Sequence, residues 1–485
     1  MARGKKTAKE LTPEEKLTQA LVPIEEQPYQ IPGNWCWTTV NTVATVITGG
    51  TPSKRKSEYY GGKFPFFKPA DLNKGRHVYT AAEYLSEEGK NVVKVIPAQA
   101  TAVCCIGSIG KCGYLEIEGA TNQQINSAIP KFNSLYLYYY MNTNIFLNQL
   151  LEKSSATTIA IVNKAKMESC AFPLAPLAEQ QRIVDRIESV FAKLDEAKEK
   201  AQEVVDGVEM RRSAILHKAF TGELTEKWRE NNFSGSAAEY LTAIQKDNEE
   251  TTKLNFKFWT NNILPEGWVE SKIGNLLYYA GRIGWKGLKA DEYKDEGPLL
   301  LSVYNLNEGD KVSYNKVYHI SEQRYDESPE IMVQENDILL VKDGAGIGKL
   351  AYVKDLPQKS TINSSLLLIR SGESAYFKYI YYLLSGPSLQ RIVKERITGS
   401  ATPHLFQRDI KEFTIPIPPL QEQNFIASVL DNMIKKEQQA KETAEVVIEQ
   451  IDVMKKAVLA RAFRGELGTN NPEEESAVEL LKSII

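Results

Sequence analysis

The sequence predicts an α+β fold: two similar globules separated by two long antiparallel coiled-coil helices. Three observations predict it. First, the chain is written twice. Ile31-Pro-Gly-Asn-Trp35 returns as Leu264-Pro-Glu-Gly-Trp268, Ile109-Gly-Lys-Cys-Gly-Tyr114 as Ile347-Gly-Lys-Leu-Ala-Tyr352, and Tyr136-Leu-Tyr-Tyr-Tyr-Met141 as Tyr379-Ile-Tyr-Tyr-Leu-Leu384. Pro176-Leu-Ala-Glu-Gln180 returns as Pro419-Leu-Gln-Glu-Gln423, and Ala219-Phe-Thr-Gly-Glu-Leu224 as Ala462-Phe-Arg-Gly-Glu-Leu467. Two copies imply two similar domains related by a pseudo-two-fold, because a solenoid needs at least three repeats. Second, 31–175 and 264–418 mix Gly, Tyr and Thr with short β-branched runs, the makeup of an α+β globule. Third, a heptad pattern follows each globule.

The elements follow in order. Residues 1–30 read as a helical extension. Within 31–175, segments 92–96 and 102–106 read as strands and 132–151 as a helix. The first spacer helix, 176–224, has Ile183, Ile187, Val190, Leu194, Ala197, Ala201, Val204, Val208 and Ile215 in steps of four and three, with Arg211 in the one gap. A linker, 225–263, leads to the second globule, 264–418. There 298–303 and 337–342 read as strands and 376–392 as a helix. The second spacer helix, 419–467, repeats the register with Ile426, Leu430, Met433, Ala440, Ala444, Val447, Ile451, Met454 and Val458, broken once by Glu437. Pro176 and Pro419 suit helix starts, and Gly222 and Gly465 suit helix stops. The small Ala197, Ala201, Ala440 and Ala444 allow close helix approach. Each helix is roughly 60 Å long at ~1.5 Å per residue. In the tail, 468–485, Ser476-Ala-Val-Glu-Leu-Leu481 echoes Ser236-Ala-Ala-Glu-Tyr-Leu241, and the segment 11–22 ahead of the first globule corresponds in position to the linker around 240–263, so the N-terminus is expected to complete what the C-terminus leaves open, in a cyclic arrangement. Residues 473–475 and 4–7 read as solvated ends.

Composition removes whole classes. The 485 residues are 42% hydrophobic and 25% charged, which excludes collagen-like and wholly disordered chains. A net charge of −3 excludes a uniformly basic nucleic-acid coat, though not local basic patches. No apolar run reaches the ~18–20 residues of a membrane span, and charges from Lys9 to Lys16 occupy the place of a signal peptide's apolar stretch. The chain reads as cytoplasmic. Its five cysteines are odd in number and form no C-x-x-C pair, so they read as reduced thiols. The four histidines have no metal-ligand spacing.

Catalytic signatures are missing. Asp343-Gly-Ala-Gly-Ile-Gly-Lys349 resembles a phosphate loop, but Asp343 stands where its first Gly is needed and Leu350 where its Ser or Thr is needed. It reads as a tight turn between strands, with Lys349 and the matched Lys111 placed to approach a DNA phosphate. No G-x-S-x-G, H-E-x-x-H or Asn/Asp-Pro-Pro-Tyr segment occurs. Charge is uneven: 31–178 holds 14 Lys and Arg against 9 Asp and Glu, 342–411 holds 11 against 5, and 264–341 holds 8 against 14. Thr51-Pro-Ser-Lys-Arg-Lys56, Asn122-Gln-Gln124 and Asn363-Ser-Ser365 combine cations, hydroxyls and amides. Such surfaces suit a DNA groove, where cations hold phosphates and amides read base edges; ordinary solvated faces are the bland alternative.

Taken with Gly49-Gly-Thr-Pro-Ser53, Phe66-Phe-Lys-Pro-Ala-Asp-Leu72 and the duplicated Pro-Leu-x-Glu-Gln and Ala-Phe-x-Gly-Glu-Leu motifs, the chain resembles the specificity (HsdS) subunits of type I restriction-modification systems over nearly its whole length. The resemblance implies two target recognition domains, each reading half of a bipartite double-stranded DNA sequence. It also implies a helix pair that sets the gap, and two methyltransferase subunits that carry S-adenosylmethionine and the catalytic motif missing here. Restriction-translocase subunits are expected to join them. This chain is then non-catalytic and needs no cofactor of its own.

The candidate DNA contacts are Thr51, Ser53, Lys54, Arg55, Lys56, Lys68, Lys111, Asn122, Gln123 and Gln124 in the first copy. In the second they are Arg282, Lys286, Tyr304, Asn305, Lys342, Lys349, Asn363, Ser364, Ser365, Thr402 and His404. Gly281-Arg-Ile-Gly-Trp285 replaces the Thr-Pro-Ser loop in the second copy, so the two specificities should differ. Gly399-Ser-Ala-Thr-Pro-His-Leu405 resembles a late loop of these domains, echoed in the first copy only by Ser155-Ala-Thr157. Glu179, Gln180, Phe220, Glu422, Gln423 and Phe463 are candidate partner contacts, unless they merely cap and end helices. The rival readings are a structural coiled-coil spacer and a nucleotide-dependent enzyme using the 343–349 glycines.

Overall fold

The structure is a computed structural model that describes residues 12–155, 160–232, 235–238, 256–257, 263–282, 292–344, 346–372, 375–396, 405, 410–411 and 413–485. The chain forms two compact units, Met1–Gln202 with Glu445–Ile485, and Glu203–Ala444. Each unit therefore holds one globule, the start of the long helix that follows it, and the end of the other long helix. The division cuts across the helices because their ends are buried in globules.

In the first unit, β1 (Cys36–Thr39) pairs antiparallel with β9 (Ala171–Leu174). A four-stranded antiparallel sheet has the order β2 (Ala44–Thr48), β8 (Ile125–Pro130), β5 (Thr101–Cys104), β6 (Cys112–Tyr114). A smaller sheet has the order β4 (Glu83–Leu85), β3 (Tyr60–Phe67), β7 (Ala120–Thr121). The second unit repeats the plan. There β11 (Val269–Lys272) pairs with β19 (Phe413–Ile417), and β10 (Phe256–Lys257) flanks β19. The large sheet has the order β12 (Leu277–Gly281), β18 (Leu366–Ser371), β15 (Ile338–Val341), β16 (Leu350–Tyr352). The small sheet is β14 (Tyr318–His319), β13 (Lys294–Leu301), β17 (Ser360–Ile362).

Strand β15 shows why the central strands read as unbroken apolar runs. Its side chains alternate between faces, and both faces are covered: Ile338 and Leu340 enter one core cluster, Leu339 and Val341 another. In the first unit β5 does the same, with Val103 on one side and Ala102 and Cys104 on the other.

Two expected helices are broken and one expected strand is absent. The 132–151 segment splits into Ser134–Met141 and Asn144–Glu152, because Thr143 takes an extended conformation and its hydroxyl caps the Phe146 amide at 3.1 Å. The 376–392 segment splits into Phe377–Ser385 and Pro387–Arg396 at Gly386-Pro387, where proline disfavours helix in the residue before it. Segment 92–96 is irregular apart from a single bridge from Ile96 to Gly119. Its Val92 and Val95 face solvent, so burial does not hold it as a strand.

The tyrosine-rich helices are buried yet satisfied. Tyr136 and Tyr140 donate to the carbonyls of Pro173 and Ala171 in β9, at 2.9 and 2.7 Å. The matched Tyr379 donates to Pro416 in β19 at 2.9 Å.

The first long helix runs Leu177–Asp206 and Val208–Phe220, and the second is unbroken from Leu420 to Ala462. Pairing is antiparallel in each unit. Lys198 meets Asp452 at 2.8 Å and Asp195 meets Lys455 in the first; Arg211 meets Glu437 at 2.7 Å in the second. Ala444 is buried, but Ala197 and Ala440 stay exposed, since a seam of small side chains covers little surface.

The tail echo is also real in space: the Ala477 amide donates to the Asn34 carbonyl, and the Ala237 amide to the matched Gly267 carbonyl, both at 2.9 Å. Glu474 is not a free end, because Arg182 holds both of its oxygens at 2.8 Å. Residues 4–7 lie outside the described residues.

Candidate nucleic-acid interface

Antiparallel order decides where the loops go. In the first large sheet, β2 and β5 end at the same edge where β6 and β8 begin. The loops at that edge are 49–59, 105–111 and 122–124. They are knitted together through the backbone: Gly50 donates to Thr121 at 2.9 Å, Cys105 to Gln124 at 2.7 Å, and Gly110 to Cys104 at 3.0 Å. Gly49 allows the closest approach, since a Cβ there would lie 2.2 Å from the Thr121 carbonyl. Thr51 donates to the Gln123 side chain. The small sheet reaches the same edge, because the Asn122 amide donates to Phe67, the last residue of β3, at 3.2 Å.

The second unit repeats three of these bonds; its counterpart of the 49–59 loop, 283–291, lies outside the described residues. Lys342 donates to Ser365 as Cys105 does to Gln124, and Gly348 to Val341 as Gly110 does to Cys104. Asn363 donates to Leu301, the last residue of β13, at 2.9 Å. The Asn122 side chain accepts the Gln124 amide, and the Asn363 side chain the Ser365 amide, each at 3.1 Å. These turns fix the loop backbone and leave Gln123 and Ser364 outermost.

The proposed contact residues separate by environment. Thr51, Ser53, Lys54, Arg55, Lys56, Gln123, Tyr304, Lys349 and Ser364 are exposed, and Lys111, Gln124, Asn363 and Ser365 are half-buried at the edge. Among the described residues Lys54, Arg55, Lys56 and Lys111 make no ion pair. Lys56 instead hydrogen-bonds Tyr59 at 3.0 Å, and that contact raises its pKa. Lys349 donates to Asn307 at 2.8 Å. Lys68 and Lys342 are already neutralised, by Glu83 at 2.7 Å and Asp343 at 2.6 Å.

Three expectations are corrected. Arg282 is buried, bonded to the Ile362 carbonyl at 3.1 Å and the Thr361 hydroxyl at 3.2 Å; desolvation lowers its pKa, and it faces no solvent groove. Asn305 is buried too: it accepts the Ser302 amide at 2.7 Å and donates to the Ser313 and Lys316 carbonyls. Asn122 is buried as a turn-former, so its neighbour Gln123 carries the exposed amide. Lys286, Thr402 and His404 lie outside the described residues, as do Ala156 and Thr157.

Asp71 was not legible as a functional residue. It holds the Lys68 amide at 2.8 Å and the Ala82 amide at 2.9 Å, as Asn305 holds Ser302, and so shapes the loop leaving β3. The available signal was the repeat itself, which sets Phe67-Lys-Pro-Ala-Asp71 against Leu301-Ser-Val-Tyr-Asn305.

The six candidate partner contacts are interior, and this too is a correction. Glu179, Gln180, Glu422 and Gln423 are at most 1% exposed. Glu179 accepts the Trp35 indole N–H at 2.7 Å and the Asn470 amide at 2.9 Å. Glu422 accepts the Trp268 indole at 2.9 Å, the Thr225 hydroxyl at 2.6 Å and the Arg229 guanidinium at 2.6 Å. Gln180 and Gln423 bond back to the carbonyls of Ala175 and Pro418, at 2.8 and 2.9 Å. Phe463 packs on Tyr136 and Tyr140 with ring centroids 5.0 and 5.2 Å apart, and Phe220 on Tyr379 at 5.6 Å. Such side chains join helix to globule and offer no surface to a partner.

The 343–349 turn joins two antiparallel strands, β15 and β16, with Gly344 and Gly348 at φ +90° and +87°. A phosphate loop needs a strand followed by a helix whose N-terminus faces the phosphate. No helix follows here, so the nucleotide reading loses its geometry.

Residues 32–205 and 265–450 match the type I restriction modification DNA specificity domain. The chain belongs to this family. It is a type I specificity subunit, a DNA-recognition protein without catalysis of its own. It is 23% identical over 481 residues to the EcoKI specificity subunit of Escherichia coli, covering 94% of this chain and 96% of that one. It is 25% identical over 397 residues to the MjaIX specificity subunit of Methanocaldococcus jannaschii, covering 80% and 84%. Its fold resembles the HsdS subunit of Thermoanaerobacter tengcongensis, with a TM-score of 0.60 at 17% identity over 92% of this chain and all of that one. A chain from a type I system solved to study complex assembly gives 0.62 at 17% identity, over 91% of this chain and all of that one. Among the described residues no helix is long and apolar enough to cross a membrane.

Proposed function

We propose that each unit reads one half of a bipartite duplex DNA target with the loop edge of its large sheet. The observation that carries this is the matched edge: three corresponding backbone bonds shape the loops before β6 and β8 and, in the other copy, those before β16 and β18, while the outward side chains differ. Cations at the edge, Lys54, Arg55, Lys56 and Lys111 in one copy and Lys349 in the other, suit phosphates; Gln123, Ser364 and Tyr304 suit base edges or sugars. The long helices set the unread gap. Two methyltransferase subunits bring S-adenosylmethionine and the catalytic groups, and restriction subunits join the assembly. With Glu179 and Glu422 buried, their docking surface includes the exposed Leu177 and Leu420 at the helix starts.

The deciding experiment replaces 264–418 with the same segment of a relative and sequences the methylome. One half of the target should change and the other remain. If both halves change, the two-reader model fails. Replacing Lys54, Arg55 and Lys56 by Ala should weaken binding to all sequences alike and flatten its salt dependence. Adding one heptad after Val204 and after Val447 lengthens each helix by about 10 Å, close to three base pairs at ~3.4 Å each. The gap in the methylated target should then lengthen, or binding weaken because the DNA must twist to fit. An active variant with the original gap removes the ruler.

A further inference from the structure

The heptad seam has one flaw in each helix, and the two flaws find each other. Arg211 stands in the gap of the first helix and Glu437 breaks the second. In the structure the Arg211 Nε donates to Glu437 at 2.7 Å, and its Nη2 donates to the Val204 carbonyl at 2.8 Å. Gly207 makes room for this: a Cβ there would lie 2.3 Å from the Arg211 guanidinium. Every seam position of one helix has its repeat partner 243 residues on, so Leu194 corresponds to Glu437 and Arg211 to Met454 (194 + 243 and 211 + 243). The repeat is symmetric elsewhere along this seam. Here it sets a charged pair in one unit against two apolar residues, Leu194 and Met454, in the other.

That asymmetry matters because repeated helices have a choice of partner. In an exchanged dimer, the first helix of one chain could pair antiparallel with the first helix of another, and second with second. Arg211 would then face Leu194, and Glu437 would face Met454, each twice, with no opposite charge in the seam. The flanking ion pairs would not object. Lys198, which now meets Asp452, would meet Glu209; Asp195, which now meets Lys455, would meet Arg212. A polar residue in an otherwise apolar seam selects partners by what a wrong partner leaves unmatched.

We propose that the Arg211–Glu437 pair, seated by Gly207, is a specificity determinant that couples the two different readers of one chain and disfavours homotypic exchange, which would couple two identical readers. The consequence for the target rests on the two-reader function; the consequence for pairing does not.

The test uses the full chain with Lys198→Cys and Glu209→Cys. These two positions lie eleven residues apart on one helix, about 16 Å at 1.5 Å per residue, so they bridge only between first helices of two chains. The five native thiols are buried. After refolding at micromolar concentration and mild oxidation, Arg211→Met with Glu437→Leu should give disulfide-linked dimers on a non-reducing gel. The native seam and the swapped Arg211→Glu with Glu437→Arg seam should give several-fold fewer, with circular dichroism confirming folding in all three. Equal dimer yields in the three backgrounds overturn the proposal, as does dimer formation confined to the swapped seam. Methylome sequencing separates the two ideas: dimers with an unchanged target leave the pairing role intact and count against the two-reader function.

Discussion

Two joints, one in each unit, do the same work with different chemistry. At each, a glutamate at the start of a long helix accepts the indole N–H of a tryptophan from the opening Pro-x-x-Trp motif. In the second unit the buried charge of Glu422 meets a cation, Arg229, whose guanidinium also reaches Thr225 and the Gly222 carbonyl. In the first, Glu179 is held by neutral donors, Trp35, Asn470 and Thr469. A helical turn further on, the contrast reverses. Arg182 of the first unit forks onto Glu474, and its counterpart Phe425 in the second stacks on Trp228 at 5.1 Å. The two copies conserve the shape of the joint and trade where the charge is neutralised. A burial requirement fixes that a carboxylate be satisfied, not by which donor.

The largest effect should come from breaking the charged joint. Glu422→Gln leaves Arg229 without its carboxylate in a mostly buried site, and removing one partner of such a pair costs about 3–5 kcal/mol. In urea unfolding the second unit should lose most of its stability. Glu179→Gln keeps an acceptor for neutral donors and should cost about half as much, since the loss is one of charge-assisted hydrogen bonds worth about 1.5–3 kcal/mol. Equal losses at the two sites would erase the contrast.

Alkaline pH sharpens the comparison from another side. All five cysteines lie in the first unit and are buried. Burial pushes the thiols of Cys36, Cys105 and Cys170 up to about 12, and that of Cys112 higher still. A folded value above the unfolded one means that stability is fully present below the unfolded pKa of ~8.5. It then falls as pH rises toward the folded value, by about 1.4 kcal/mol per pH unit for each thiol. The first unit should therefore show the steeper alkaline loss above pH ~9 from this source. Cys→Ala or Cys→Ser replacements should flatten the slope, and native thiols should resist a thiol reagent until the chain is unfolded.

The smallest effect belongs to the surface fork. Arg182 is 40% exposed at its side chain, so Arg182→Ala should cost no more than about 1 kcal/mol. That cost should shrink as salt is raised, because exposed charges are screened. Phe425→Ala should show a cost that salt leaves unchanged. A salt-dependent loss at Phe425 would mean the two contacts are not equivalent solutions to one packing problem.

Periodicity and repetition are local records, and they carried much of the architecture. The two globules, the starts of the long helices after Pro176 and Pro419, the glycine turns before Lys111 and Lys349, and the echo of the tail in the linker were all legible without coordinates. The segments that the sequence marked by their cations, hydroxyls and amides, Thr51–Lys56, Asn122–Gln124 and Asn363–Ser365, do lie in loops at the sheet edges. What spacing does not encode is the far partner. Glu179 lies 144 residues from Trp35 and 291 from Asn470. Only the folded chain turns Glu179 from a plausible docking charge into a buried joint. Arg282 changes meaning for the same reason: a polar side chain reads as surface until a distant carbonyl, here that of Ile362, takes its hydrogen bond. The sequence by itself determined the doubled plan, since hydrophobic period and turn chemistry are set by neighbours a few residues apart. The tertiary structure alone decided which of the matched polar residues face outward, because burial depends on what the rest of the chain brings to them.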